Sequence, residues 1–222
     1  MNTKQIAAEK AVELIQDGMI VGLGTGSTAY FAIQKIGQRV QEGLNIQAVA
    51  SSKASEELAR QFGIPLLPFA DVEVIDITID GADEVDPNLS LIKGGGGALL
   101  REKILAGNSK RFIVIVDETK IVPALGTFPL PVEIVPFAYE LTVRKLQALG
   151  AQLKIREANG THYITDNGNL IADCHFGDIT DPETLHQQLN TTPGVVDNGL
   201  FVHMTSQVIV GHADGTLEIL SN

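Results

Sequence analysis

Tryptophan is absent from this 222-residue chain, and cysteine occurs once, at Cys174. A single cysteine permits no intrachain disulfide and no thiolate zinc site, so the composition points to a reducing cytosol. Positive charge is scarce: 16 Lys and Arg stand against 27 Asp and Glu, a formal net charge of −11. Binders of nucleic acid and of anionic membranes rely on a basic surface, and this balance argues against both. An acidic chain can still hold a small anion in a local cradle of backbone N–H groups and a few lysines. No apolar run approaches the ~20 residues of a membrane span. Residues 1–20 carry Lys4, Glu9, Lys10, Glu13 and Asp17, and they read as an amphipathic helix rather than a signal peptide. The expected location is the cytoplasm. The histidines at 162, 175, 186, 203 and 212 show no H-E-x-x-H spacing, so no metal site is expected.

What is present is ample core material, 44% hydrophobic residues, which excludes long disorder. At ~150 residues per domain, the length suits one compact unit with a smaller one appended. Apolar positions at helical spacing over 4–16 precede a short apolar strand over 19–23. A helix over about 29–41 and a strand over 46–50 follow, then a helix over 54–62 and a short strand over 65–67. Strands over 74–79 and 112–116 flank a helix over about 98–106. Continuous apolar strands alternating with helices predict an open, mostly parallel, Rossmann-like α/β sheet. After Gly126 the rhythm changes. The proline-containing stretch 129–134 reads as an edge strand, followed by a helix over about 137–149 and a strand over 151–157. A turn at 166–169 separates expected strands over 163–165 and 170–175. A helix from 182 to about 190 and a strand over 195–201 complete a β-α-β-β-α-β, ferredoxin-like α+β order. Runs at 208–210 and 216–220 are expected to return to the main sheet. The expected domains are therefore 1–127 with 203–222, and 128–202.

Three segments carry candidate chemistry. Gly22-Leu-Gly24-Thr25-Gly26-Ser27-Thr28 joins a strand to a helix, where glycines let N–H groups close on an oxyanion and Ser27 and Thr28 add hydroxyls. A bare tight turn is one competing reading. A dinucleotide fingerprint is another, but it wants an acid at the end of the second strand, and Ala50-Ser51-Ser52-Lys53 supplies none. A phosphate-binding loop fits better. Asp80-Gly81-Ala82-Asp83-Glu84-Val85-Asp86 follows a strand at its carboxyl end, where open α/β sheets bind ligands. Its four acids could bind a divalent cation, although the spacing is not the calcium-loop pattern, or could cap a solvated turn; Gly81 would let the chain turn Asp80 and Asp83 inward. Composition does not choose between these. Lys93-Gly94-Gly95-Gly96-Gly97 then opens a helix on which Glu102 shares a stripe with Ala98 and Ala106. Four glycines are costly to order and make sense where backbone must approach a ligand closely. A carboxylate between two methyl groups could be desolvated into a base, although an acid early in a helix is equally an ordinary partner of the helix dipole. Lys120 reads as a surface lysine placed at another strand's carboxyl end.

In order along the chain, Gly24-Thr-Gly-Ser-Thr28, Asp80-Gly-Ala-Asp83-Glu84, Lys93-Gly-Gly-Gly96, Leu100-Arg-Glu-Lys103 and Phe128-Pro-Leu-Pro-Val-Glu133 resemble the signatures of type A ribose-5-phosphate isomerases. Asp166-Asn-Gly-Asn169 and Pro193-Gly-Val-Val196 extend the likeness over nearly the whole chain. The resemblance implies interconversion of ribose 5-phosphate and ribulose 5-phosphate through an enediolate, with no cofactor and no metal. It implies Glu102 as the base, with Asp80, Asp83 and Lys93 handling the sugar's oxygens. It implies a substrate-binding set of Thr25, Gly26, Ser27, Thr28, Gly81, Ala82, Gly94, Gly95, Gly96, Lys120 and Lys4. The implied partner is a small sugar phosphate, and the implied assembly a homodimer, with a tetramer as the alternative. Two rivals are weaker. A sugar-phosphate deaminase or lactonase would want a histidine among the acids, and a sugar-phosphate sensor would bring a DNA-binding helix-turn-helix.

Overall fold

The computed structural model describes residues 2–221. The chain forms two compact units. One takes the chain up to Ala82, Arg101–Ile121 and everything from His203 onward; the other takes Asp83–Leu100 and Val122–Val202. This division differs from the expected one: residues 83–100 belong with the second unit, and the later boundary lies at 121/122 instead of 127/128. The reason is local pairing. Glu84–Val85 and Leu91–Ile92 form short antiparallel strands that the periodicity did not suggest, and Leu91–Ile92 pairs further with Leu200–Phe201.

The first unit is built on a six-stranded sheet. Ile20–Leu23 lies between Gln47–Ala50 and Ile77–Gly81; Phe112–Asp117 and Gln207–Gly211 continue the sheet in parallel. Leu217–Leu220 closes the edge antiparallel, so the chain's last segment returns to the main sheet as expected. In order of appearance the parallel strands run 2-1-3-4-5, the flavodoxin-like arrangement, whose switch point falls between the first and third strands. The inner strands are continuously apolar because helices cover both faces of such a sheet. All six side chains of Phe112–Asp117 are buried, and Val21, Leu23, Ile77, Ile79, Ile113 and Ile115 pack with Ile33 and Ile36 of the helix Ser27–Gln41.

Two expected strands shrink. The stretch 65–67 contributes one bridge, Ala48 to Leu66, and the strand expected from 74 begins at Ile77, with Ile75 making an isolated bridge to Ser109.

The second unit contains the β-α-β-β-α-β order, as an antiparallel sheet in which Val195–Asn198, Leu130–Ile134, Leu170–His175 and Gln152–Ile155 lie side by side. The proline-bearing strand Leu130–Ile134 is thus central rather than at an edge. Pro131 is tolerated because its carbonyl accepts the Gly199 N–H at 2.7 Å. Its nitrogen faces the same side, where the ladder to Val195–Asn198 begins only at Val132. The expected strand over 163–165 is irregular and leads into the turn 166–168, across which Thr165 donates its N–H to Asn169 O at 2.9 Å; the small hairpin before it pairs Glu157–Ala158 with Thr161–His162. The expected 195–201 strand splits at Gly199 into pieces serving two different sheets.

Candidate functional site

In the first unit, the carboxyl ends of strands Ile20–Leu23 and Ile77–Gly81 sit side by side at the switch point, and two of the singled-out segments leave from them. Gly24 donates its N–H to Ile79 O at 2.9 Å. A Cβ on Gly24 would stand 2.6 Å from the Asp80 Cα, so only glycine permits this approach. Asp80 is 1% exposed and its Oδ1 accepts the N–H groups of Thr25, at 3.0 Å, and of Gly81, at 2.7 Å. One carboxylate therefore sets the shape of the glycine loop and of its own turn. Thr28 lies next to Gly81, whose added Cβ would stand 3.7 Å from the Thr28 Cβ.

The helix Ser27–Gln41 starts at Gly26, a cap residue that makes no side-chain bond to the helix's first N–H groups. Those donors and the positive end of the helix dipole make an anion seat. Lys4, on the helix Thr3–Val12, donates from Nζ to Ser27 Oγ at 3.0 Å, so a cation stands at the same loop.

Thr25 is held from outside the glycine loop, by a group of serines that loop patterning does not point to. Its Oγ1 lies 2.8 Å from Ser51 Oγ, 2.8 Å from Ser52 Oγ and 3.1 Å from Ser55 Oγ. Ser55 also donates to Gly24 O at 2.6 Å, and Ser51 to Leu23 O at 2.9 Å. The segment after the second strand lacks an acid; the signal it carries is three hydroxyls in Ser51-Ser52-x-x-Ser55.

Glu102 lies on the helix Leu99–Gly107. It is 4% exposed, with Ala98 and Ala106 of the same stripe also buried, while Ile104 is 51% exposed. The stripe expected from the spacing is therefore the covered one. Lys120 ends the short 3₁₀ turn Glu118–Lys120 at the carboxyl end of Phe112–Asp117; Asp117 shapes that turn by accepting the Thr119 N–H at 3.1 Å.

In the second unit, Asp83 bonds through its N–H to Ile92 O at 2.8 Å and accepts the Gly95 N–H on Oδ2 at 2.7 Å. Lys93, 3% exposed, donates its N–H to Gly199 O at 2.9 Å, and its Nζ stands 5.5 Å from the centre of the Phe201 ring. The glycine run is thus tied at Lys93 and at Gly95, with Gly95 and Gly96 exposed. Glu84 and Asp86 take the capping role. Glu84 accepts the N–H groups of Gly126 at 2.7 Å and Phe128 at 2.6 Å, and Asp86 those of Asn88 and Ser90 at 2.9 and 2.8 Å. The acidic segment therefore divides, two acids shaping loops outright and Asp80 and Asp83 gripping the glycine-rich stretches.

The singled-out residues fall in both units. Lys4, Thr25–Thr28, Asp80–Ala82, Glu102 and Lys120 belong to the first, and Asp83 and Lys93–Gly96 to the second. Among the described residues, no group of three or more His, Cys, Asp and Glu is placed to hold a metal ion.

Comparison with known proteins agrees along the whole chain. Residues 47–215 match the family model of ribose 5-phosphate isomerase A (phosphoriboisomerase A). The ribose-5-phosphate isomerase A of Bacillus anthracis is 58% identical over 99% of this chain and 100% of its own, and that of Bacillus mycoides 52% identical over 98% and 99%. Among solved structures, ribose 5-phosphate isomerase A of Methanocaldococcus jannaschii superposes with a TM-score of 0.94 at 42% identity, covering 100% of this chain and 99% of that one. A D-ribose-5-phosphate isomerase in complex with phospho-erythronic acid gives 0.96 at 41%, with both chains covered in full at 100%. With 169 consecutive residues inside the family model and near-complete coverage by its members, this chain belongs to the ribose 5-phosphate isomerase A family.

Proposed function

We infer that the protein interconverts ribose 5-phosphate and ribulose 5-phosphate, as an aldose–ketose isomerase. The observation that carries this reading is the full-length likeness, in sequence and fold, to isomerases of that name, one of them holding phospho-erythronic acid. That ligand is a four-carbon acid phosphate whose planar carboxylate has the shape and charge of an enediolate end.

The reaction moves a carbonyl from C1 to C2 of the opened sugar. A base takes the C2 proton, the electron pair runs into the C1 carbonyl to give an enediolate, and the same proton, or one from solvent, returns to C1. A second proton passes between O1 and O2. C1 is reduced as C2 is oxidised, so no external electron carrier enters the balance. Glu102 is our choice for the carbon base: a buried carboxylate flanked by alanines meets the requirement for a positioned base. Asp80, Asp83 and Lys93 would serve the two oxygens, with the lysine offsetting the charge of the enediolate. The loop 25–28 with Lys4 would hold the phosphate, and Lys120 would add a further substrate contact.

The pathway served is then the non-oxidative interconversion of pentose phosphates, in the cytoplasm, and the assembly a homodimer, both implied by the family likeness. The test is conversion of ribose 5-phosphate by purified protein in the presence and absence of EDTA. Turnover unaffected by chelation is expected; turnover lost in EDTA and restored by a divalent ion would recast the acids at 80–86 as metal ligands. No turnover at all would remove the assignment. Light scattering on the same preparation should return twice the 23.7 kDa chain mass, and a monomer would overturn the dimer.

A further inference from the structure

The glycine run Lys93–Gly97 has to hold Asp83 and Lys93 in register, yet glycine is the residue least able to hold itself. The second unit contains a device for this, made of residues to which the isomerase reading gives no role. Arg156, between Gln152–Ile155 and the small hairpin, donates from Nη1 to Gly94 O at 2.9 Å and to Gly95 O at 3.1 Å. Its other face is locked. Nε and Nη2 reach the two oxygens of Asp173 at 3.0 and 2.5 Å, a bidentate fork that only a guanidinium can make. Its carbon centre stands 5.9 Å from the Tyr163 ring, and its backbone carbonyl accepts the Tyr163 N–H at 2.8 Å. Tyr163 closes the other end of the run: a Cβ on Gly97 would meet its hydroxyl at 2.2 Å.

Tyr163 is held in turn. Two residues on, the turn 165–169 is pinned to Glu133, a fully buried carboxylate whose Oε1 accepts from Thr165 Oγ1 at 2.9 Å, Asn167 Nδ2 at 3.1 Å and Asn169 Nδ2 at 2.8 Å. Two motifs of the sequence, the one ending at Glu133 and Asp166-Asn-Gly-Asn169, thereby acquire a purpose.

We propose that Arg156 is a positioning residue of the isomerase: clamped by Asp173, it fixes the carbonyls of Gly94 and Gly95, and so orients the Gly95 N–H that holds the Asp83 carboxylate. Asp83 is one of the groups assigned to the sugar oxygens, so this inference rests on the isomerase reading. The phosphate loop belongs to the other unit, and none of the clamp's bonds is made to it. Loss of Arg156 should therefore act on turnover and spare phosphate recognition.

The experiment pairs kinetics with amide hydrogen exchange on Arg156→Ala, Arg156→Lys and Asp173→Asn. In Arg156→Ala, kcat for ribose 5-phosphate should fall by about a hundredfold, the usual cost of misplacing a group by an ångström, with KM within about threefold of the parent's. Lysine cannot fork onto Asp173 while reaching two carbonyls, so Arg156→Lys should resemble Arg156→Ala. Millimolar methylguanidinium should restore part of the lost kcat in Arg156→Ala, which a variant defective only in folding would not show. Exchange over residues 93–98 should quicken in all three. Parent-like kcat together with parent-like exchange at 93–98 would overturn the proposal, as would activity that falls only in step with the thermal midpoint. If Arg156→Ala does not fold, Arg156→Lys and Asp173→Asn carry the same readings. Should the parent itself fail to turn over ribose 5-phosphate, the isomerase reading falls, while exchange at 93–98 still decides whether Arg156 holds the run.

Discussion

Glu102 is the residue on which the proposed chemistry turns. A carboxylate on the covered side of a helix is costly to bury, and Glu102 is buried there with Ala98, Leu99, Leu105 and Ala106 while Ile104 is left in solvent. Replacement by glutamine preserves size and helix propensity and removes the capacity to accept a proton. Positioned acid–base catalysis is commonly worth 10²–10⁴-fold, so Glu102→Gln should lower kcat by about a thousandfold while substrate still binds. Deuterium exchange from solvent into the C1 and C2 positions should fall in parallel. The neighbouring half-buried Lys103 lies off that stripe, and Lys103→Ala serves as the mild control. A Gln variant retaining more than about a tenth of parental kcat would take Glu102 out of the reaction, that loss being below the usual contribution of such a base. Cys174 behaves in the opposite way to Glu102. Burial pushes its thiol up to about 12, and it packs in the core of the second unit, so the one cysteine has no part in the chemistry.

Among the elements, the loop that opens the helix Ser27–Gln41 shows how far patterning reaches. A strand, close glycines and a helix following them are all legible, because each follows from local sequence; the helix itself begins at Ser27, two residues before the expected start. What the local sequence could not show was Lys4, twenty-three residues earlier, donating to Ser27, or the hydroxyl group of three serines behind Thr25. Those depend on tertiary placement. The same holds for the proline strand Leu130–Ile134. Proline was a sound argument for an edge, and it failed because the neighbouring ladder begins one residue past Pro131. Likewise Leu91–Ile92 is too short to display a period, and it exists because Leu200–Phe201 comes back to it. For the phosphate loop, the consequence is a variant that separates binding from turnover. Ser27→Ala removes one hydroxyl and the seat of the Lys4 ammonium. A hydrogen bond to a charged group contributes about 1.5–3 kcal/mol, so KM should rise by about tenfold or more with kcat retained. Steady-state kinetics on ribose 5-phosphate decide it. An unchanged KM with a depressed kcat would move residues 25–28 from phosphate holding to the chemical step.

At the scale of the whole chain, the return of Gln207–Gly211 and Leu217–Leu220 to the first unit closes its sheet, and two ionic contacts at different ends of that sheet carry opposite pH dependence. At the amino end, Asp76 accepts from Lys110 Nζ at 2.7 Å and from the Ile20 N–H at 2.9 Å. The lysine first, then the backbone donor, holds its carboxyl below the ordinary 3.8. Its contribution to stability is therefore complete above that value and lost as pH falls through the lower folded one. At the carboxyl end, His212 bonds through Nδ1 to Glu118 at 2.8 Å, and its Nε2 stands 3.3 Å from Glu218 on the last strand. The bond to Glu118 chiefly, with help from Glu218, raises its imidazole above the ordinary 6.5. That contribution is complete below 6.5 and fades as pH rises through the raised value. Both contacts are accessible to solvent, so each should be a modest, salt-sensitive part of the total. The expected outcome is a matter of shape. With thermal midpoints followed from pH ~2 to ~9 at low salt, the deficit of Asp76→Asn should close in acid, and that of His212→Gln should close in alkali. Curves running parallel to the parent's at every pH would show that neither group titrates with folding, and that the sheet's ends are held by packing and backbone pairing alone.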